Sequence, residues 1–453
     1  MPASESAQAL AFVLLIIFLA YVLLILVPFL RRSKDPEGDP SRFGWHVFVP
    51  CRDEEAVIGA TIERLRTTFP EVHVWVIDDA SDDDTASIVQ AVASVDPLVH
   101  LVRRHRPNAR QGKGAALNEA YRALSRWLPR DADRSHTIVA VVDADGRLAP
   151  NALRQAAGAK AFANPTIGAA QAAVWMSNRD DPAPLKGEHS SLRQAWGRYL
   201  VRMQDIEFRT TIAAMQCLRL RTFSVGLGGN GQFSRLSALD TVTEMSGAPW
   251  HGSLLEDYEL GVHVVLAGYQ NTYMHDTHVE QEALPQTRRL LTQRVRWCQG
   301  GMQCAKYLPK IFRSEHFTNA GSLEATYFLL LPFIQLAGIV LWPAAFIAMA
   351  AQGTLYAGSF AAFAAQSWWL IPLIVLTGIL PFGIWAIIYR QQVAREASWG
   401  RAIGWAMGYW LYMYQAYICV VRALTRLVLG KDTWSKTRRN AERDNLGLVA
   451  RET

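Results

Sequence analysis

The sequence predicts an α/β domain built on a mostly parallel sheet and set between α-helical transmembrane segments. Three observations carry that expectation. Between residues 45 and 300, short β-branched runs alternate with segments whose apolar residues recur at three-and-four spacing. Long uncharged stretches stand before and after that block. Only 19% of the 453 residues are charged, against roughly 25% in a soluble domain, so part of the chain belongs in lipid. At this length one hydrophobic core does not suffice, and at least two structural units are expected.

Residues 1–34 are expected to form the first transmembrane helix. Ala9 to Leu30 is uncharged, about 33 Å of helix at ~1.5 Å per residue, enough to cross the hydrocarbon core. A cleaved signal peptide would carry its basic residues ahead of the apolar run. Here Glu5 precedes it and Arg31, Arg32 and Lys34 follow, which places the amino terminus outside and residue 35 onward in the cytosol.

Residues 35–300 are the α/β block. Trp45 to Pro50, Val72 to Asp78, Val99 to Arg103 and Thr137 to Asp143 read as strands, while Glu55 to Thr68, Asp84 to Ser94 and Gly114 to Leu128 read as helices. Successive β-α-β units imply parallel strands, and ligands of such sheets bind beyond the carboxyl ends of the strands. Residues 301–323 read as an amphipathic segment along the membrane surface. In 324–430, Ala325 to Ala351, Trp368 to Tyr389 and Ala402 to Val421 read as three spans. Three spans would leave the basic tail, 431–453, outside, against the charge rule. An additional segment at Leu355 to Gln366 or a re-entrant helix would reconcile the two.

The net charge of +6 arises mainly from basic residues at the ends of apolar stretches and from Arg288 to Arg296. That distribution suits a bilayer surface, and no nucleic-acid partner is expected. Cys51, Cys217, Cys298, Cys304 and Cys419 are scattered and never form a Cys-x-x-Cys pair. They exclude a disulfide framework or zinc cage and read as reduced thiols on a cytosolic domain.

Four clusters carry chemistry. Asp143 and Asp145 end a strand one residue apart and offer hard oxygens to Mg2+ or Mn2+, although Asp145-Gly146 is also an ordinary turn signal. Asp78 and Asp79 end another strand, where a carboxylate can accept from a base N–H or a ribose hydroxyl. Ser81 and the acids after it are explained by helix capping. Lys113 opens a helix after Gln111-Gly112, which suits a diphosphate, though Gly-Lys-Gly is also a common helix start. Glu256 and Asp257 open a helix, either as partners of its dipole or as the single base that an inverting displacement at an anomeric carbon requires. Gln293 and Arg296 share a helix face beside Trp297. The guanidinium can grip a diphosphate and the indole can stack on a sugar ring, while Arg288, Arg289 and Arg294 fit a membrane-surface helix.

In this order the clusters resemble those of membrane-integrated family 2 glycosyltransferases, the processive group of cellulose, hyaluronan, chitin and poly-N-acetylglucosamine synthases. The resemblance covers roughly residues 45 to 310. It implies a GT-A, Rossmann-like fold, with Pro50 to Glu55 similar to the family's first-strand motif and Lys113 to Asn118 similar to its Lys-Gly-x-Ala-Leu-Asn stretch. It further implies Asp78 and Asp79 as nucleoside-binding acids, Asp143 and Asp145 as the metal pair and Asp257, beside Glu256, as the base. Gln293, Arg296 and Trp297 then match the element of processive members. The activity implied is inverting, metal-dependent transfer from a UDP-sugar, with UDP-glucose or UDP-N-acetylglucosamine favoured, onto a growing β-linked polysaccharide. Export would be coupled at the plasma membrane, the protein multi-pass with its catalytic domain cytosolic. Implied partners are the UDP-sugar donor, the polysaccharide acceptor, the lipid bilayer and an accessory export subunit. Two alternatives stand beside it: transfer of one sugar to a polyprenyl phosphate or other lipid, and a non-catalytic scaffold or transporter. Gly228-Gly229-Asn230-Gly231-Gln232-Phe233 replaces the Phe-x-Cys-Gly-Ser segment of cellulose synthases, and Leu255 replaces the usual Thr, so the acceptor end differs. Trp434 to Arg438 is similar to tails seen in the family.

Overall fold

A computed structural model describes residues 3–431. The tail pattern Trp434 to Arg438 lies outside the described residues. Eight strands form one mixed, mostly parallel sheet: β1 (Gly44–Cys51), β2 (His73–Asp78), β3 (Val99–Arg103), β4 (Thr137–Val141), β5 (Arg147–Leu148), β6 (Ile167–Met176), β7 (Gln232–Arg235) and β8 (Gln270–Gln281). Their spatial order is β3-β2-β1-β4-β7-β6-β8-β5. The first four run parallel, β7 runs against both β4 and β6, and β8 is parallel to β6.

Alternation along β1, β2 and β4 sets the two faces. Val47, Val49, Val74, Val76, Ile138 and Ala140 pack under Ile58–Thr68 and Thr85–Ala93. Phe48, Trp75, Ile77, Val139 and Val141 face Lys113–Trp127, Leu236–Ser246 and Glu256–Leu266. With both faces covered, every second residue cannot be polar, which is why these strands read as continuous apolar runs. Cys51 is level with Asp78, and Phe48 with Val141, so the loops after β1, β2 and β4 emerge at one edge.

Three helices among the described residues are long and apolar enough to cross a membrane: Ser6–Leu30, Asn319–Ala357 and Leu370–Gln392. Their exposed side chains include Phe12, Ile16, Leu24, Val340, Ile347 and Ile371, an apolar surface that water would not tolerate. The third span expected after the domain, Ala402 to Val421, is corrected. It breaks at Tyr414 into Trp399–Met413 and Gln415–Val428, each too short to cross alone. The first of these helices is anchored to the rest of the protein through polar groups: Tyr409 bonds Thr211 at 2.8 Å and Tyr412 donates to Glu207 at 2.9 Å. Leu355 to Gln366 does not form an additional span either, because Phe360–Gln366 is only seven residues long.

Ser191–Thr222 forms a nearly continuous helical run with a π-helical segment, Glu207–Ile212, in its middle. Leu308–Arg313 and the turn before it dock Tyr307 and Ile311 against Tyr258 and Val262 of the helix that begins at Glu256.

Candidate active site

The loops after β1 and β2 are interlocked. Asp53 and Ala80 both sit in the left-handed region, with Asp53 N–H donating to Ser81 Oγ at 2.9 Å. Asp79 accepts from the Arg104 guanidinium and, at 3.0 Å, from the Arg110 N–H. Asp78 is buried and accepts from Ser81 N–H at 3.1 Å, so its carboxylate holds this turn rather than facing the cavity below.

Two helix N-termini converge beside these loops. Asn118 accepts from Trp250 N–H at 3.1 Å and donates to Trp250 O at 2.7 Å, stapling the loop before Glu256 to the helix that opens at Lys113. Gly114 permits the approach, since a Cβ there would stand 2.9 Å from His251 O. Gly300 does the same for Thr287–Cys304: a Cβ would meet Leu255 N at 2.6 Å. Three helices therefore carry Lys113, Glu256-Asp257 and Gln293-Arg296-Trp297 to one place.

That place is a cavity of about 570 Å³. Asp79, Lys113, Asp143, Asp145, Glu256, Asp257, Gln293, Arg296 and Trp297 all line it. Lys113 Nζ donates to Asp143 Oδ1 at 2.6 Å and also to Gly229 O. Burial opposes the ammonium charge, but Asp143, Glu256 and Asp257 outweigh it and hold the lysine pKa above its usual value. Burial raises Glu256 against the opposing pull of Lys113 and Arg296. Burial and then the charge of Glu256 push Asp257 up to about 7, with the Tyr258 N–H opposing at 2.7 Å. A carboxyl so tuned exchanges a proton near neutrality. Asp143 and Asp145, both half-buried, are hard oxygen donors of the kind Mg2+ or Mn2+ takes while keeping sites for phosphate and water. A second cluster, Asp35, His275 and Asp276, brings ligand atoms within 4.8 Å of one another, but Lys160 sits 3.1 Å from Asp35, so an ion pair already fills its charge requirement.

Arg294, in contrast, is structural. It makes two hydrogen bonds to Glu207, at 2.9 and 2.6 Å, and its guanidinium lies 4.7 Å from the Trp297 ring centroid. Sequence reasoning missed Gly229, whose missing side chain leaves room between Lys113 and Asp257. It also missed the apolar end of the cavity, where Phe328, Leu331 and Pro332 of Asn319–Ala357 continue the wall together with Met413 and Val420.

Residues 43–300 match the family described as Glycosyltransferase like family 2. The chain is 29% identical over 261 residues to a beta-monoglucosyldiacylglycerol synthase of Synechocystis sp., covering 57% of this chain and 47% of that one. It is 33% identical over 120 residues to an undecaprenyl-phosphate mannosyltransferase of Micrococcus luteus, covering 26% and 45%. The chain thus spans about half the length of the curated relatives it matches. Among solved structures, a mannosyltransferase from Pyrobaculum calidifontis in complex with GDP-Man and Mn2+ shares the fold, with a TM-score of 0.54 and 19% identity over 94% of this chain and 99% of that one. With more than half its length matched, its sheet topology and its converging acids, the chain belongs to glycosyltransferase-like family 2.

Proposed function

We propose that the protein transfers one sugar from a nucleoside diphosphate sugar to a lipid acceptor at the membrane surface. The observation that carries this reading is the continuity of the cavity, which runs from Asp143 and Asp257 to Phe328, Leu331 and Pro332 on an apolar, lipid-length helix. A lipid headgroup can enter there without leaving the bilayer. The relatives' names support the same acceptor class, since one makes a glucosyldiacylglycerol and the other acts on undecaprenyl phosphate. Both favour a lipid over the growing polysaccharide, and UDP-glucose is the first donor to test.

In the proposed reaction the acceptor oxygen attacks the anomeric carbon, and the bond from that carbon to the diphosphate oxygen breaks. The hydroxyl proton passes to Asp257, and the nucleoside diphosphate leaves with the bond's electron pair, inverting the centre. Asp79 would bind the nucleoside, Lys113 and Arg296 the diphosphate, and Gln293 and Trp297 the sugar. Asp145 and Asp143 would hold Mg2+ or Mn2+, which neutralises charge on the departing diphosphate when bound. Two spans after the catalytic block would return the chain to the side on which the block sits, a reading supported by the packing of Gln415–Val428 on Thr287–Cys304. That arrangement would also satisfy the charge rule, with Arg422 and Arg426 on the cytosolic side.

Incubating the purified full-length chain with radiolabelled UDP-glucose, Mg2+ or Mn2+ and mixed lipids, then partitioning into organic solvent, tests the reading. Label in a lipid carrying one sugar supports it. Label in a water-soluble polymer overturns it in favour of the polysaccharide.

A further inference from the structure

Where β4 and β7 part, a side chain takes over from the main-chain ladder. The antiparallel register pairs Val141 with Gln232, and two residues further on it sets Asn230 opposite Asp143, beyond the ends of both strands. The main-chain bonding on this side ends with Gly231 N–H donating to Val141 O at 2.9 Å. Past that point the Asn230 carboxamide stands in for a backbone partner: Oδ1 accepts from Asp143 N–H at 3.2 Å, and Nδ2 donates to Gln281 Oε1 at 3.2 Å. Asn230 lines the cavity and is more than nine-tenths buried. Its own main chain is clamped by Gln171, which engages both ends of its amide. Gln171 Oε1 accepts from Gly228 N–H at 2.7 Å, and Nε2 donates to Asn230 O and to Ala172 O, both at 2.9 Å.

The loop that Asn230 holds carries both Asp143 and Asp145. Asp143-Ala144-Asp145-Gly146 closes as a turn, with Gly146 N–H donating to Asp143 O at 2.7 Å, and Thr61 Oγ1 donates to Ala144 O at 2.6 Å. The turn lies close against the asparagine, since a Cβ at Gly146 would stand 3.0 Å from Asn230 Oδ1. The same segment reaches the Asp143 carboxylate by a second route. Gly229 O accepts from Lys113 Nζ, which also donates to Asp143 Oδ1 at 2.6 Å. Asp143 is thus gripped at its main chain by Asn230 and at its side chain through the residue before Asn230, in a closed ring. Carboxylates that ligate a metal depend on such outer hydrogen bonds for their geometry, and losing one typically costs about 10–100-fold in metal affinity. Resting on the assignment of Asp143 and Asp145 to the metal above, we infer that Asn230 is a positioning residue, setting the turn on which these two carboxylates meet the divalent cation.

Equilibrium dialysis of radiolabelled UDP against the purified full-length chain at increasing Mn2+ reads the metal without any turnover. Mn2+ should tighten UDP binding to the wild type. In Asn230→Ala the Mn2+ concentration giving half of that tightening should rise at least tenfold, while the Kd for UDP without metal stays within twofold. Asn230→Asp keeps an oxygen for the Asp143 N–H, and its Mn2+ midpoint should stay within threefold of wild type. Gln281→Met removes the acceptor that orients the Asn230 amide and should raise the midpoint about threefold. An unchanged midpoint in Asn230→Ala, or in Gln281→Met where the alanine variant does not fold, overturns the positioning role alone. An equal loss in the alanine and aspartate variants, or a matching loss of metal-free UDP binding, overturns it likewise. Wild-type UDP binding that is indifferent to Mn2+ overturns the metal assignment and the inference together.

Discussion

Replacing Gly229 by alanine tests the geometry of the centre without touching a reacting group. Gly229 does not occupy a left-handed conformation, so an alanine backbone fits without strain. The added methyl would stand 3.1 Å from Lys113 Nζ and 3.2 Å from Asp257 Oδ2, where ordinary contact begins at 3.4 Å. Each group must retreat by about 0.2–0.3 Å, a figure at the small end of the displacements that reduce rates, since ~1 Å can cost about 10²-fold. Lys113 has little freedom to retreat, because its ammonium is held by Asp143 and by the Gly229 carbonyl. The carboxylate therefore moves too, away from the line along which it would take the acceptor proton. We expect kcat to fall about threefold on that scale, with an unfolding midpoint close to wild type, measured as nucleoside diphosphate release at saturating donor and acceptor. A Gly229→Ala enzyme within twofold of wild-type kcat would refute the placement of Asp257 and Lys113 about one reaction centre.

Three further predictions follow from groups around that centre. Because Asp257 must be deprotonated to act as base and its pKa is pushed up to about 7, kcat/KM should be full above that pH and fall as pH drops through it. Glu256→Gln removes one of the charges raising it and should move the midpoint downward in a pH-rate profile. Arg294→Met should leave Glu207 buried beside Tyr412 without its cation, costing about 3 kcal/mol of stability in a denaturation experiment, with partial recovery in the Arg294→Met, Glu207→Gln double variant. Chelation with EDTA should abolish transfer, with recovery on adding Mn2+ or Mg2+, and Asp145→Asn should raise the metal concentration giving half activity at least tenfold.

The first half of the sheet was legible because β1, β2 and β4 are buried on both faces and all four opening strands carry Val, so composition marks them. β6 was not. Its Ile-Gly-Ala-Ala-Gln-Ala-Ala run has little strand preference, and Ala169, Ala170 and Ala172 are buried there as small side chains between packed layers. Asp79, Asp143 and Asp145 were legible from position, since the loops at strand ends in such sheets face ligands, whereas the same rule misled for Asp78, and Glu256 and Asp257 stood out only as acids at a helix start. Gly229 was not legible, because its meaning comes from partners far away in sequence, Lys113 and Asp257. The apolar run at 402–421 misled for the same reason. Hydropathy does not reveal that Tyr409 and Tyr412 have hydroxyl partners at Thr211 and Glu207.

The wide turn at Glu207–Ile212 has a consequence for how this chain tolerates insertions and deletions. A π-helical segment accommodates an extra residue, so everything beyond it is rotated by about 100° relative to an uninterrupted helix of 3.6 residues per turn. Excising a single residue there would regularise the helix and improve its local bonding. It would also put Cys217 and Leu220 in the places that Gln216 and Arg219 hold on the chamber wall, so a deletion that local geometry favours would be one the enzyme could not afford.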